Sequence, residues 1–550
     1  MNRGRTHVSE RSAALRIVLV CLGLLVAFGA ITIQLGRLAW QAQTSGRLNL
    51  STPNSESFSR PDILDRDGNV LARDIMLPSI TANPSRILDV KEVIDSLTPL
   101  LPPVDAKRLP GNLADRSRRF IWVSRKVSTA LAEKIHNLGL PGVGYRWETK
   151  RTYPAGRVAG HVIGAVDANS AGIRGLERHM DVVIGLRLAR YENGDLRPPL
   201  RTTLSIAAQH ALEDELKAAM AKFSAPAASG VIMDVTSGEI AAAVSLPSVD
   251  PAFPEHWISR GPIDRLTRGT YELGSIFKIV TVAMGLDLNL VTPHTRIDVG
   301  TPIRLGRFTI KGSGSPGAEM SVHDILVRSI NTGTAAIARR AGPERQRAFL
   351  ARVGLLSRME TEAGAVKRPM YPKTWGEAAI VTVSYGHGIA VAPIQFASAA
   401  ASLVNGGFTV TPTFIRRVAM PPEARKRVVS EQTSRAILAM MRASVTSRVG
   451  TSRKARARGY RVAGKTGTAD LPNRTRGYDG RAVVTSFVGA FPSDRPRFLV
   501  MVTLYDPKPI RGSRVAGDNA APTARRVIER VAPILGVFPG QSTRPRGRTH

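Results

Sequence analysis

The sequence predicts an α+β protein with three parts: an N-terminal transmembrane helix, a β-rich membrane-proximal domain, and a larger domain built on a five-stranded antiparallel sheet flanked by helices. Three observations lead there. Ile17 to Leu35 is an apolar window without a charge, Ser51 to Ser59 is a polar, turn-rich break, and five β-rich runs after Ala225 are divided by long helical patterns.

The window IVLVCLGLLVAFGAITIQL spans 19 residues. At about 1.5 Å of rise per residue it matches the thickness of a bilayer core. Arg3, Arg5, Arg11 and Arg16 precede it, while Arg37 and Arg47 follow more sparsely. The positive-inside rule then places residues 1–16 in the cytoplasm, residues 17–36 in the membrane and the bulk of the chain outside. The run is long for the apolar region of a cleaved signal and lacks an A-x-A site, so an uncleaved single-pass anchor in the inner membrane is expected.

After the break, RPDILDRDGNVLARD reads as a strand, a turn at Asp67-Gly68 and a second strand. Short strands and Pro- and Gly-punctuated loops continue to about Phe223, giving a non-catalytic domain over residues 50–223. His161, in the loop RTYPAGRVAGHVIG, is read as a structural hydrogen-bonding residue. A second domain, residues 225–535, opens with a hairpin, ASGVIMDVTSGEIAAAVSLPS, turning at Thr236-Ser237-Gly238. RVAGKTGTA, TSFVGAF and RFLVMVTLY supply three further strands, and a last helix opens at Pro522, a favoured first-turn residue. The basic residues 536–550 are expected to be disordered.

Composition narrows function. With 77 Lys+Arg against 43 Asp+Glu the net charge is +34, which favours anionic partners. No basic run alternates with aromatics and no nucleic-acid reading motif is present, so nucleic acid is not an expected partner. The single cysteine, Cys21, lies in the apolar window and the ten histidines show no HExxH spacing, so neither a metal nor another cofactor is expected.

Three short segments carry chemistry. In YELGSIFKIVTVAMGL, Gly274 breaks the chain and Ser275 opens an amphipathic helix. Lys278, three residues on, lies over the same face and can reach the Ser275 hydroxyl. A serine needs a neighbouring base at neutral pH, and burial can keep a lysine neutral enough to serve. In SVHDILVRSINTGTAAIARRAG, Ser321 and Asp324 form a capping box, Gly342 follows a helix end, and Ser329-Ile330-Asn331 falls at the junction. There Ser329 and Asn331 can relay a proton and hold a peptide carbonyl, or simply cap helices. In Lys465-Thr466-Gly467-Thr468, Gly467 removes a side chain where another backbone can approach, and the flanking cation and hydroxyls can bind a carboxylate. Each segment alone also reads as ordinary surface, cap or strand end.

Their order changes the reading: S-x-x-K, S-x-N and K-T-G follow one another as in serine β-lactam-recognising enzymes. From the anchor to about Pro533 the chain resembles the class B penicillin-binding proteins. RPDILDRDG, RTYPAGRVAGHVIG and GIRGLE resemble that family's pedestal motifs, and SYGHGIAVAPIQ with LVNGG resembles its division-specific septal transpeptidase more than the elongation-specific one. The resemblance implies a pedestal of the dimerisation type and a penicillin-binding/β-lactamase-like transpeptidase domain. It also implies a donor stem peptide of peptidoglycan ending in D-Ala-D-Ala, with Ser275 as nucleophile and Lys278 as base. By the same resemblance Ser329 is expected to pass a proton to the leaving D-Ala, Asn331 to hold the donor amide, and Lys465, Thr466 and Thr468 to bind the terminal carboxylate beside Gly467. Backbone N–H groups of Ser275 and Thr468 are expected to form the oxyanion hole. β-Lactams as covalent inhibitors, a polytopic lipid II glycosyltransferase and other division proteins are the implied partners.

Four residues depart from the family pattern: Leu273 and Ile276 replace proline and threonine around the nucleophile, Asp264 replaces asparagine, and Asp470 follows KTGTA. None removes a reacting group. Rival readings are an elongation-specific enzyme, a β-lactamase or β-lactam sensor, a catalytically silent division scaffold, and a polyanion-binding protein suggested by charge alone.

Overall fold

The computed structural model describes residues 19, 22–34, 37, 60–182, 198–259, 261–306, 308–315, 317–416, 425–472, 482–509 and 512–540. Contacts divide the chain into Met1–Phe58 and Ser59–His550. In the first unit residues 22–34 are helical, and Leu22, Leu25, Phe28 and Ile33 are exposed apolar side chains. No helix among the described residues is long and apolar enough to cross a membrane. Of the anchor expected at 17–36, residues 17, 18, 20, 21, 35 and 36 lie outside the described residues, as does the tail at 1–16.

The membrane-proximal domain opens as its sequence predicts. Strand β1 (Ile63–Leu64) turns through Gly68, at φ +93°, into β2 (Val70–Ala82). Only a residue tolerant of positive φ fits there. The Asp65 carboxylate closes the turn, accepting from the N–H groups of Asp67 and Asn69 at 2.9 and 2.8 Å. The loops expected next contain three helices, which corrects the β-rich description to a mixed one: α1 (Val90–Leu97), α2 (Pro103–Leu113) and α3 (Thr129–His136). Asp89 and Ser128 cap α1 and α3 through side-chain oxygens, and α2 continues through Pro110 because its apolar face packs under the sheet at Leu109 and Leu113. Strands β3 (Ile121–Ser124) and β4 (Val143–Thr152) pair antiparallel with β2. After α4 (Gly175–Val182), β5 (Leu200–Arg201) pairs parallel with β1.

Buried charges join the three pedestal-like motifs. Arg151 bonds Glu177 through Nε at 2.7 Å and Asp74 through Nη1 at 3.2 Å, while Arg60 meets Glu177 at 2.9 Å and Asp181 at 2.7 Å. Arg60, Arg151 and Glu177 come from RPDILDRDG, RTYP and GIRGLE respectively. Their convergence explains why such distant segments carry charges that end up out of water. His161 bonds the Pro247 carbonyl at 3.3 Å, a structural contact as read from sequence.

Helix α5 (Ile206–Phe223) moves the boundary expected at 223–225. Its Ala208, Leu212 and Leu216 pack in one core with Ile232 and Val244 of the C-terminal sheet, so the helix belongs to that second domain. Gln209 seals the sheet edge by bonding both the N–H and the carbonyl of Ala243, at 2.8 and 2.6 Å. The hairpin is β6 (Ala227–Asp234) and β7 (Ile240–Leu246), with Gly238 at φ +77°.

Beyond it come α6 (Lys278–Asp287), α7 (Val322–Arg328), α8 (Asn331–Arg352, broken at Gly342, φ +77°, where the sequence places a helix end), α9 (Pro393–Val404) and α10 (Glu431–Thr446). Then follow β8 (Ala463–Asp470), β9 (Val483–Phe491), β10 (Phe498–Tyr505) and α11 (Ala520–Ile534). The expected five-stranded antiparallel sheet is present, in the order β8-β9-β10-β6-β7. One face packs on α5 and α11, the other on α6, α9 and α10. Burial on both faces is why its strands read as near-continuous apolar runs.

Details differ. Helix α11 opens at Ala520, capped by Asn519, so Pro522 lies inside the first turn rather than at its start. Residues 536–540, expected to be disordered, pack instead: Val537 is buried and the Gly540 N–H bonds the Gly459 carbonyl. Residues 541–550 lie outside the described residues.

Candidate active site

Ser275 sits in a 3-10 turn, Gly274–Phe277, and the α-helix proper begins at Lys278. That corrects the expected helix start by one turn. The helix is not amphipathic either: every residue from Lys278 to Leu286 is buried, so it runs through the core and carries Lys278 with it. Ser275 itself stays partly exposed.

The turn is made by close backbone approach. Gly274 has φ +57°, and a Cβ there would lie 2.2 Å from the Thr468 carbonyl oxygen. Gly467 answers from the strand: its absent Cβ would lie 2.3 Å from the Leu273 carbonyl and 2.9 Å from the Ile276 nitrogen. The space that Gly467 leaves is thus filled by this chain's own Ser275 turn. Gly386, from SYGHGI, supports the other side, accepting from the Gly274 N–H at 3.3 Å. Glu272 fixes that loop by accepting from the Gly388 N–H at 2.8 Å and lies 3.4 Å from His387 Nδ1.

Ser329 ends α7 in the left-handed region, φ +66°. A non-glycine residue held there is under local strain, and such strain concentrates at functional sites. The conformation delivers its hydroxyl between two amines. Lys278 Nζ donates to Ser329 Oγ at 3.1 Å and to its carbonyl at 2.5 Å, and Lys465 Nζ donates to the same Oγ at 2.9 Å. Both lysines are fully buried. Burial, joined by the charge of Lys465, holds the Lys278 amine well below the ordinary lysine range, and burial brings Lys465 from 10.5 down to about 7. Among the described residues no hydrogen bond joins Ser275 Oγ to Lys278; in this state Lys278 is turned to Ser329.

The remaining expected residues surround this core. Asn331 stands exposed at the first turn of α8. Thr466 is buried and donates to Thr451 Oγ1 at 3.1 Å, and Thr468 Oγ1 accepts from the Ala516 N–H at 3.0 Å. Thr451 and Ala516 have no signal in the motifs, since both lie in loops of Ser, Gly and Arg that resemble any surface turn. The departures also find places. Leu273 adopts φ −107°, which the fixed ring of a proline does not allow, and Ile276 is wholly buried. Asp264 caps its turn by accepting from the Leu266 N–H and the Thr267 hydroxyl.

A partly exposed serine on a helix-leading turn, two buried amines of lowered basicity and a bridging hydroxyl are the groups that a serine acyltransferase uses. Residues 228–529 match the penicillin binding protein transpeptidase domain, and residues 56–195 match the penicillin-binding protein dimerisation domain. The chain is 35% identical over 491 residues to the probable peptidoglycan D,D-transpeptidase FtsI of Caulobacter vibrioides, covering 87% of this chain and 82% of that one. It is 28% identical over 565 residues to the peptidoglycan D,D-transpeptidase FtsI of Escherichia coli K12, covering 96% and 93%. Penicillin binding protein 3 of Mycobacterium tuberculosis, solved with aztreonam, shares the fold at a TM-score of 0.67 and 22% identity over 88% of this chain and 98% of that one. The chain belongs to the penicillin-binding protein transpeptidase family and is a peptidoglycan D,D-transpeptidase.

Proposed function

We propose that this transpeptidase works through an acyl-enzyme on Ser275 and serves septal wall synthesis. The observation that carries the site assignment is the bridge Lys278–Ser329–Lys465 beside the Ser275 turn. Lys278, kept neutral by burial, takes the Ser275 proton as the hydroxyl attacks the penultimate carbonyl of a D-Ala-D-Ala stem. The oxyanion forms against the N–H groups of Ser275 and Thr468. The C–N bond breaks and the terminal D-Ala leaves as its amine, the proton passing from Lys278 through Ser329. An amine of a neighbouring stem then attacks the ester and regenerates Ser275. Asn331 holds the donor amide, and Lys465, Thr466 and Thr468 face its carboxylate.

Likeness to two transpeptidases named FtsI over most of the chain supports the division-specific subclass suggested by SYGHGIAVAPIQ and LVNGG over the elongation-specific one. The exposed apolar side chains of residues 22–34 support an inner-membrane anchor, with residues 1–16 cytoplasmic and the rest periplasmic. A membrane-embedded lipid II glycosyltransferase and other division proteins are the partners this reading supplies. The test is intact-protein mass spectrometry after penicillin: the native chain gains one penicilloyl mass and Ser275→Ala gains none. An adduct that persists in Ser275→Ala sinks the assignment.

A further inference from the structure

Lys465 ends in three protons and has three acceptors in the protein: Ser329 Oγ at 2.9 Å, the Thr466 carbonyl at 3.0 Å and Thr451 Oγ1 at 3.4 Å. The third is the one that no motif assigns. Thr451 Oγ1 also accepts from Thr466 Oγ1 at 3.1 Å, so one hydroxyl ties the amine and the neighbouring threonine together.

Its loop is built to hold it there. The Thr451 N–H bonds the Val327 carbonyl in α7, two residues before Ser329. Next to it Ser452 is fully buried, with its hydroxyl 3.0 Å from that of Ser444 and its N–H on the Ser444 carbonyl. Gly450 allows this return, since a Cβ there would lie 2.1 Å from the same carbonyl oxygen. The charged groups of this loop face away: Arg453 bonds the Arg448 carbonyl and Lys454 pairs with Asp518. Lys278, across Ser329, is the titratable group that faces Lys465.

We propose that Thr451 is a positioning residue for acyl transfer: it completes the acceptor set of the Lys465 ammonium, fixes the direction of the Thr466 hydroxyl, and so sets how Lys465 meets Ser329. The inference rests on the reading that Lys465 and Ser329 belong to the acyl-transfer machinery. An acceptor on the charged amine favours its charged form, so removing it makes Lys465 lose its proton at lower pH. A loop that merely packs has no such effect.

The experiment measures the second-order rate of acylation by a fluorescent penicillin, on the full chain in detergent, as a function of pH. Thr451→Val slows acylation about tenfold, on the scale of one hydrogen bond to a charged group. It also moves the pH midpoint near neutrality in the acid direction by about half a unit or more, and Thr451→Ser restores both rate and midpoint. If Thr451→Val does not fold, Thr451→Ala carries the same test. A native rate and midpoint in the Val or Ala variant overturns the proposal, as does an equal loss in the Ser variant with the midpoint unmoved. Either result with a native chain that still acylates at Ser275 refutes Thr451 alone. A native chain that takes no adduct at Ser275 refutes the underlying site.

Discussion

Replacing Lys465 by methionine separates what the site costs from what it does. Burial places the Lys465 amine at about 7 in the folded chain against 10.5 for a free lysine. The folded value lies below the unfolded one, so between these limits the unfolded chain holds more protons and stability rises with pH. At 1.36 kcal/mol per decade the penalty is about 4 kcal/mol at about pH 7 and about 2 kcal/mol at about pH 9. Methionine removes that penalty but takes the amine from the Thr466 carbonyl, while Ser329 Oγ still accepts from Lys278 and Thr451 Oγ1 from Thr466, a pH-independent loss of about 1–3 kcal/mol. The expected net effect is a variant more stable than the native chain by about 1–3 kcal/mol near neutrality, an advantage that shrinks by about 2 kcal/mol toward about pH 9. Lys278, relieved of a neighbouring charge, shifts the difference in the same direction. Urea unfolding of both chains, followed by tryptophan fluorescence at the two pH values, measures it. A difference that stays constant or grows with pH refutes the claim that Lys465 is held at lowered basicity by burial. Acylation by penicillin, measured on the same samples, should be lost in the variant at both.

Two further substitutions test the scaffold. Gly467→Ala puts a methyl 2.3 Å from the Leu273 carbonyl, which is backbone and cannot turn aside, so the strand must move off the nucleophile turn. Acylation should fall at least about tenfold with a stability loss of about 1–3 kcal/mol; native acylation kinetics would show that the strand and turn need not touch. Arg151→Met leaves Asp74 buried without its cation and Glu177 with Arg60 alone, and should cost about 3–5 kcal/mol, read as a lowered melting temperature. An unchanged melting temperature would mean that Arg60, through its guanidinium and its backbone N–H, already satisfies both carboxylates.

Legibility in the sequence followed the range of the interactions that decide each feature. The five sheet strands and the turn at Gly238 are set by local apolar runs and turn residues, and both stand where the pattern puts them. Helices α1 to α3 are short and α2 carries Pro110 and Gly111, which locally argue for a loop; packing beneath β2 and β3 overrides that preference. Helix α5 has the right periodicity, but which domain owns it depends on a core formed by residues far along the chain. At the site, Ser275, Lys278, Ser329 and Lys465 were readable because their spacing is fixed by one 3-10 turn, one helix end and one strand. Thr451 was not, because its role exists only once two loops meet.

The two buried amines also explain why a single hydroxyl lies between them. Two ammonium groups sharing one hydroxyl within about 3 Å each would repel strongly in a site without bulk water. The site therefore holds at most one proton comfortably between the pair, and the charge of Lys465 appears as a cause of the lowered basicity of Lys278. On the proposed mechanism Ser329, bonded to both amines, would be the conduit that lets that proton change place without either lysine leaving the core. A substrate carboxylate arriving near Lys465 favours its charged form and so drives Lys278 further toward the neutral amine needed to deprotonate Ser275. Binding of the donor would in this way switch on its own nucleophile, and a neutral donor analogue that lacks the carboxylate should acylate slowly even where it binds. Equal acylation rates for the two donors at saturation would remove the coupling between Lys465 and Lys278 from the mechanism.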